Sequence, residues 1–135
     1  MSFDHDVTDT ISLGFMITDV IALLSVCYKL ATRSSRFCAL KKEAHLIEGI
    51  YSDLYNSIGK FLLTEKQKET LESIMKRTED LMGELAKRDA ESHRRSSKHS
   101  MSTVKEWTTT DIDKFQRKMH INLTMLHAFN SGISK

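Results

Sequence analysis

Six histidines and two cysteines are the residues best able to hold a metal or begin nucleophilic chemistry, and their spacing serves neither purpose. Cys27 and Cys38 match no zinc spacing and are too few for a disulfide framework, so in a reducing compartment both are expected as free thiols. His120 and His127 stand seven apart and can share one helix face. Without a third ligand near them they are surface or boundary residues, not a zinc site. Tyr51 and Tyr55 are expected in a core with their hydroxyls at its rim. Asn122 falls at a core position of a helical repeat, where an amide either fixes register or touches water at the boundary. No nucleophile elbow, phosphate loop, zinc motif or pair of carboxylates is present. The expectation is a protein with no catalytic residue, no metal ligand and no cofactor, and therefore not an enzyme.

What remains is the chemistry of surfaces. Ile11, Leu13, Phe15, Met16, Ile17, Val20, Ile21, Leu23, Leu24 and Val26 make the stretch 11–28 apolar on nearly every side. Ser12, Thr18, Asp19 and Ser25 interrupt it. It has about the length that crosses a bilayer, which takes roughly twenty apolar residues. Asp19, near the middle, argues against a constitutive span, because a charge there costs about 2.5–3.5 kcal/mol on insertion scales. A helix seated in a soluble bundle and able to move into lipid fits both facts; a plain core helix is the alternative. A basic cluster follows at once: Lys29, Arg33, Arg36, Lys41 and Lys42, joined farther along by Arg94, Arg95 and Lys98. Near an anionic leaflet each such charge contributes about 1 kcal/mol of binding.

These residues must be positioned by helices. The chain of 135 residues fits one domain, lacks proline and has five isolated glycines, so little in it breaks a helix. Hydrophobic spacing predicts helices over about 7–32, 37–63, 65–88 and 111–133, with a polar loop over 89–110. In the second, Phe37, Leu40, Ala44, Ile47, Tyr51, Leu54, Ile58 and Phe61 form the core stripe, widened by Leu46, Ile50, Tyr55 and Leu62. Thr64 and Gln67 open the third as a capping box, and its stripe is Leu71, Ile74, Met75, Thr78, Met82 and Leu85, flanked by Leu81. Val104 and Trp107 are expected to pin the end of the loop to the bundle. Thr110 is the expected cap of the fourth helix, whose stripe holds Ile112, Phe115, Met119, Leu126, Phe129 and Ile133. The fold class is all-α, an antiparallel four-helix bundle with a largely apolar N-terminal helix.

Net charge of +2 is too small for a general nucleic-acid surface, so no nucleic acid is expected as a partner. Asp4, Asp6 and Asp9 stand where a secretory signal wants positive charge, which points to the cytosol.

The order of features resembles the HeLo and HeLo-like cell-death domains, which include fungal incompatibility proteins and the N-terminal bundle of the mixed-lineage-kinase-like necroptosis executioner. The resemblance is carried by the apolar first helix, the basic turn Thr32-Arg33-Ser34-Ser35-Arg36, two long helices and a polar loop ending in Lys105-Glu106-Trp107. The stretch from Thr110 to Met119, followed by Leu123 and Leu126, is similar to the start of the closing helix in those bundles. It implies the executioner part of a longer protein, with a regulatory C-terminal domain or protein partner. Oligomerisation would free the first helix, cations would engage anionic phospholipid, and a cytoplasmic protein would relocate to the plasma membrane or another cell membrane. Arg33, Arg36, Lys41 and Lys42 correspond by position to the lipid-contacting cations. Gly14 stands alone where some members of the family carry a glycine-rich first helix. The rival expectation is a helical interaction module, a signalling adaptor or coiled-coil immune-receptor domain, with no membrane activity.

Overall fold

The computed structural model describes residues 2–58, 63–97 and 107–133, with side chains placed in these spans except for 2–10 and 93–97. It is all-helical, with no strand among the described residues. The elements are α1 (Ser2–Leu23), α2 (Ser25–Arg33), a single 3-10 turn (Ser35–Phe37), α3 (Cys38–Ser57), α4 (Glu65–Ser97) and α5 (Thr109–Ile133). Since α1 and α2 follow one another directly, they make one rod, and the fold has four helices.

Where the helices begin and end departs from the predicted bounds in five places, the first being that α1 begins at Ser2 and not near 7. The helix expected over 7–32 is interrupted at Leu24, whose N–H is shared between the carbonyls of Val20 (3.3 Å) and Ile21 (3.1 Å). Cys27 N–H then reaches Leu24 C=O at 3.1 Å, so one turn tightens to 3-10 geometry. Each residue of such a turn advances about 20° more than in an α-helix. That extra rotation keeps Leu30 on the buried face, where straight α-helical spacing would carry it toward the flank. The helix expected to run to 63 stops at Ser57; Gly59, two residues on, is a stop signal outweighed in the spacing argument by Phe61 and Leu62. Phe61 and Leu62 lie outside the described residues.

The third predicted helix does not fade at 88 but continues to Ser97, so the expected loop over 89–110 is helical for its first part. Its serines were not decisive, because 89–97 contains no glycine or proline and offers Ala90, Glu91, Arg94 and Arg95, which are good helix formers. The final helix is capped by Thr108 and not by Thr110: Asp111 N–H donates to Thr108 Oγ1 (3.0 Å) and Thr108 N–H to Asp111 Oδ2 (3.4 Å). The Thr64–Gln67 box is formed as expected, at 3.1 Å and 2.8 Å.

One core runs through all the helices. Leu13, Ile17, Val20, Leu24, Cys27 and Leu30 pack inward from the first rod. Phe37, Leu40, Ala44, Ile47, Tyr51 and Leu54 face them from α3 and the 3-10 turn, and Leu71, Ile74, Met75, Leu81, Met82 and Leu85 from α4. Ile112, Met119 and Leu126 complete it from α5, with Phe115, Leu123, Phe129 and Ile133 partly buried around them. Tyr55 and Leu46, expected to widen the α3 stripe, are exposed instead: they stand on opposite flanks of α3, Tyr55 at the edge facing the first rod and Leu46 at the edge facing α5.

Across neighbours the partners run in register: Tyr28 with Glu48, Cys27 with Met82, Arg33 with Asp89, Lys118 with Glu84, Arg88 with Asp111, and His120 with Glu43.

Candidate membrane-binding surface

The rod Ile11–Arg33, at 23 residues, is about 34 Å long. One third of the residues in its most apolar window are buried, and the rest are half-buried or exposed. The ten residues expected to enter a membrane divide accordingly. Leu13, Ile17, Val20 and Leu24 are buried, and Met16, Ile21 and Val26 are half-buried. Ile11 (55% exposed), Phe15 (67%) and Leu23 (41%) face outward. Asp19 is also exposed, so its carboxylate is not desolvated in the folded protein.

The outward residues form a line. Ile11, Phe15, Thr18 and Ala22 follow the 4-3-4 spacing of one helix face and are exposed. Past the 3-10 turn at Leu24 the half-buried Val26 and the exposed Lys29 and Arg33 continue the line, rotated by about a sixth of a turn. The line changes character along its length, apolar at Ile11 and Phe15 and cationic at Lys29 and Arg33. Phe15 and Arg33 are separated by about 27 Å of helix. Beside its apolar end lies a shallow groove with α3, lined by Gly14, Tyr55 and Ile58. Exposure divides the helix into 13-17-20-24-27 on the buried side and 11-15-18-22-26-29-33 on the outer one, a division that apolar spacing does not give. An all-round apolar reading concealed it.

The expected lipid-binding cations are not equivalent. Lys29, Lys41 and Lys42 are exposed. Arg33 holds Asp89 of α4 at 2.7 Å, which offsets its charge and ties the end of the rod to the bundle. Arg36 donates to the backbone carbonyl of Trp107 at 2.8 Å and keeps its positive charge, since a carbonyl carries none to cancel it. The side chains of Arg94 and Arg95, and Lys98 altogether, lie outside the described residues.

Beneath this basic end sits an aromatic plug that spacing did not reveal in full. Trp107 meets Phe37 edge to face at a 5.2 Å centroid distance and Phe115 at 5.8 Å, while the Arg88 guanidinium lies 4.9 Å from its ring centre. Arg88 also pairs with Asp111 at 3.2 Å, and this hydrogen bond, with the Thr108 amide, holds the Asp111 carboxyl below its ordinary range. Trp107 thus pins the start of α5, as expected. Val104 lies outside the described residues.

In mid-bundle, three helices meet in a buried polar cluster. Tyr51 OH lies 2.8 Å from Thr78 Oγ1, and Asn122 places Oδ1 and Nδ2 at 2.8 and 2.7 Å from the same oxygen. Thr78 can also donate back to Ile74 C=O at 3.1 Å. Tyr51 is fully buried, not rimmed by water, and burial pushes its hydroxyl up to about 12 despite the opposing hydrogen bond from Thr78. Burial likewise pushes the Cys27 thiol up to about 12, which keeps it protonated and unreactive. Tyr28 is raised to about 12, first by desolvation and then by its bond to Glu48. His120 Nδ1 stands 3.4 Å from Glu43 Oε1, and no group of three metal-ligating side chains occurs among the described residues.

A second outward feature lies between α3 and α5. Leu46 and Ile50 face Leu123, Thr124 and His127 across a shallow, mainly apolar groove, and Ile121 is 49% exposed nearby. Comparison of the chain with protein-family models, with curated proteins and with solved structures finds no match.

Proposed function

We propose that this chain is an antiparallel four-helix bundle of the HeLo-like kind that binds anionic phospholipid, oligomerises and permeabilises membranes. It works as the cell-death module of a longer cytoplasmic protein, whose regulatory portion or protein partner controls it. The observation that carries the reading is the first rod, long and apolar enough to cross a bilayer yet only 33% buried over its most apolar window. The register of partners supports the antiparallel arrangement: residue numbers rise together between the first rod and α4, and in opposite directions between α4 and α5. Cations at the end of the rod supply attraction to the leaflet. Lys29, Arg36, Lys41 and Lys42 amount to about 4 kcal/mol at roughly 1 kcal/mol each, Arg33 being offset by Asp89.

Dye release from vesicles tests this. The intact chain should empty vesicles containing phosphatidylserine and spare those of phosphatidylcholine alone. The triple change Lys29→Glu, Lys41→Glu and Lys42→Glu should suppress release while leaving helicity unchanged. A protein that releases nothing and stays monomeric beside anionic vesicles refutes the reading.

A second reading, a helical interaction module without membrane activity, is favoured by the groove between α3 and α5, where Leu46 is 55% exposed. It expects Leu46→Asp to abolish a protein complex and to leave vesicles untouched.

A further inference from the structure

We propose that the folded bundle docks side-on to an anionic bilayer through the outward line of the first rod, before any helix leaves the core. This rests on the membrane-binding reading above and adds to it a surface, an orientation and an order of events. Release of the rod would strip Leu13, Ile17, Val20, Leu24, Cys27 and Leu30 from their partners in the core. Docking through the opposite face strips nothing, because Ile11, Phe15 and Leu23 are already outside.

The occupant is set by charge and shape together. A helix lying in the plane of a membrane interface sinks its apolar face about 5–10 Å below the headgroups and keeps its cations among them. The line offers Phe15 and Ile11 for the acyl boundary, and the far end of the rod offers Lys29 and Arg33 for the phosphates, turned by the 3-10 turn at Leu24 about a sixth of a turn toward the Asp19 flank. Arg33 is 41% exposed at its side chain while it holds Asp89, so it stands at headgroup level with its charge offset, and Lys29 supplies the attraction on this line. Tyr55, 48% exposed beside Gly14 and Phe15, widens the apolar end with an amphipathic ring suited to the interface. Asp19 stands on the flank of the line, about a sixth of a turn from its centre by helical geometry, where its carboxylate stays in water.

A covalent lock separates docking from release. Cys27 Sγ lies 3.8 Å from Met82 Sδ, so α2 meets α4 here, and a Met82→Cys change in a Cys38→Ser background brings a second thiol to this contact. Its sulfur stands one bond nearer the backbone than that of methionine, so the fraction of chain that closes the disulfide on oxidation, and so ties α2 to α4, is the fraction compared. The full chain is then sedimented with phosphatidylserine-containing vesicles in oxidised and reduced forms, with disulfide content measured by mass. The expected result is equal binding by both forms. Binding by the reduced form alone overturns this inference and leaves the membrane reading standing. Binding by neither form, nor by the unmodified chain, overturns both.

The second variant needs no disulfide. Phe15→Glu, at an exposed position where the fold loses nothing, should weaken vesicle binding by about ten- to a hundredfold. Unchanged binding by this variant overturns the proposal. So does unchanged vesicle binding accompanied by loss of a dimer seen without vesicles, which would assign the line to a second copy of the chain.

Discussion

Replacing Thr78 by valine removes one hydroxyl and almost no volume, so it isolates the polar cluster from packing. In the folded protein that oxygen is the meeting point of Tyr51, Asn122 and the Ile74 carbonyl. Valine strands the Tyr51 hydroxyl and part of the Asn122 amide, which are 0% and 2% exposed and have no water to turn to. A buried polar group left without a partner costs about 1–3 kcal/mol, so the pair should cost roughly 2–5 kcal/mol. Domain stabilities are about 5–15 kcal/mol, so a change of that size is easily resolved.

Tyr51→Phe alone should cost only about 1 kcal/mol, since Thr78 keeps Asn122 and Ile74. In the Thr78→Val background the same Tyr51→Phe change should be neutral or stabilising, because it deletes a stranded hydroxyl. Urea unfolding followed by circular dichroism, run as a double-mutant cycle, measures all four corners. A Thr78→Val cost below about 0.5 kcal/mol, within the range of an ordinary surface change, refutes the reasoning. An equal cost for Tyr51→Phe in both backgrounds refutes it as well.

Two further outcomes are expected. Cys38 is exposed and Cys27 is buried with its thiol raised to about 12, so an alkylating agent should modify Cys38 in the native protein and Cys27 only on unfolding. Equal labelling rates in native buffer would contradict the packing of α2. The Asp111 carboxyl is held low chiefly by Arg88, so its contribution is complete above the unfolded value of about 3.9 and is lost as pH falls through the lower folded one. The urea midpoint of the native chain should therefore fall toward that of Asp111→Asn on acidification, and parallel curves would show that Asp111 is not the linked group.

Much of the core was legible because a 3-4 spacing is a direct consequence of helical rotation. Leu71, Ile74, Met75, Thr78, Met82 and Leu85 are all buried as that spacing requires, and the Thr64–Gln67 box formed because its two side chains act within one turn. What escaped depends on partners far off in sequence. Tyr55 and Leu46 differ from Tyr51 and Ile47 only in which neighbouring helix fails to cover them. Arg88 joins Trp107 and Asp111 only after α5 has docked. The extension of α4 to Ser97 was hidden for a different reason, since serine-rich composition suggests a loop while the absence of glycine and proline permits a helix. The outward line on the first rod was hidden by its own hydrophobicity, because a residue's apolar character does not say which side of a helix is covered.

The dependence of α3 on α5 has a consequence in time. Glu43 and His120 are neighbours in space but 77 residues apart in the chain, and Thr78, with Tyr51 beside it, awaits Asn122 over 44 residues. At the usual pace of about 5–20 residues per second, a ribosome takes roughly 4–15 s to deliver His120 after Glu43. Throughout that interval one flank of α3 is born without its cover. The newly made chain thus passes through a stage in which the side chains of α3 that α5 will cover are bare to whatever the nascent chain meets.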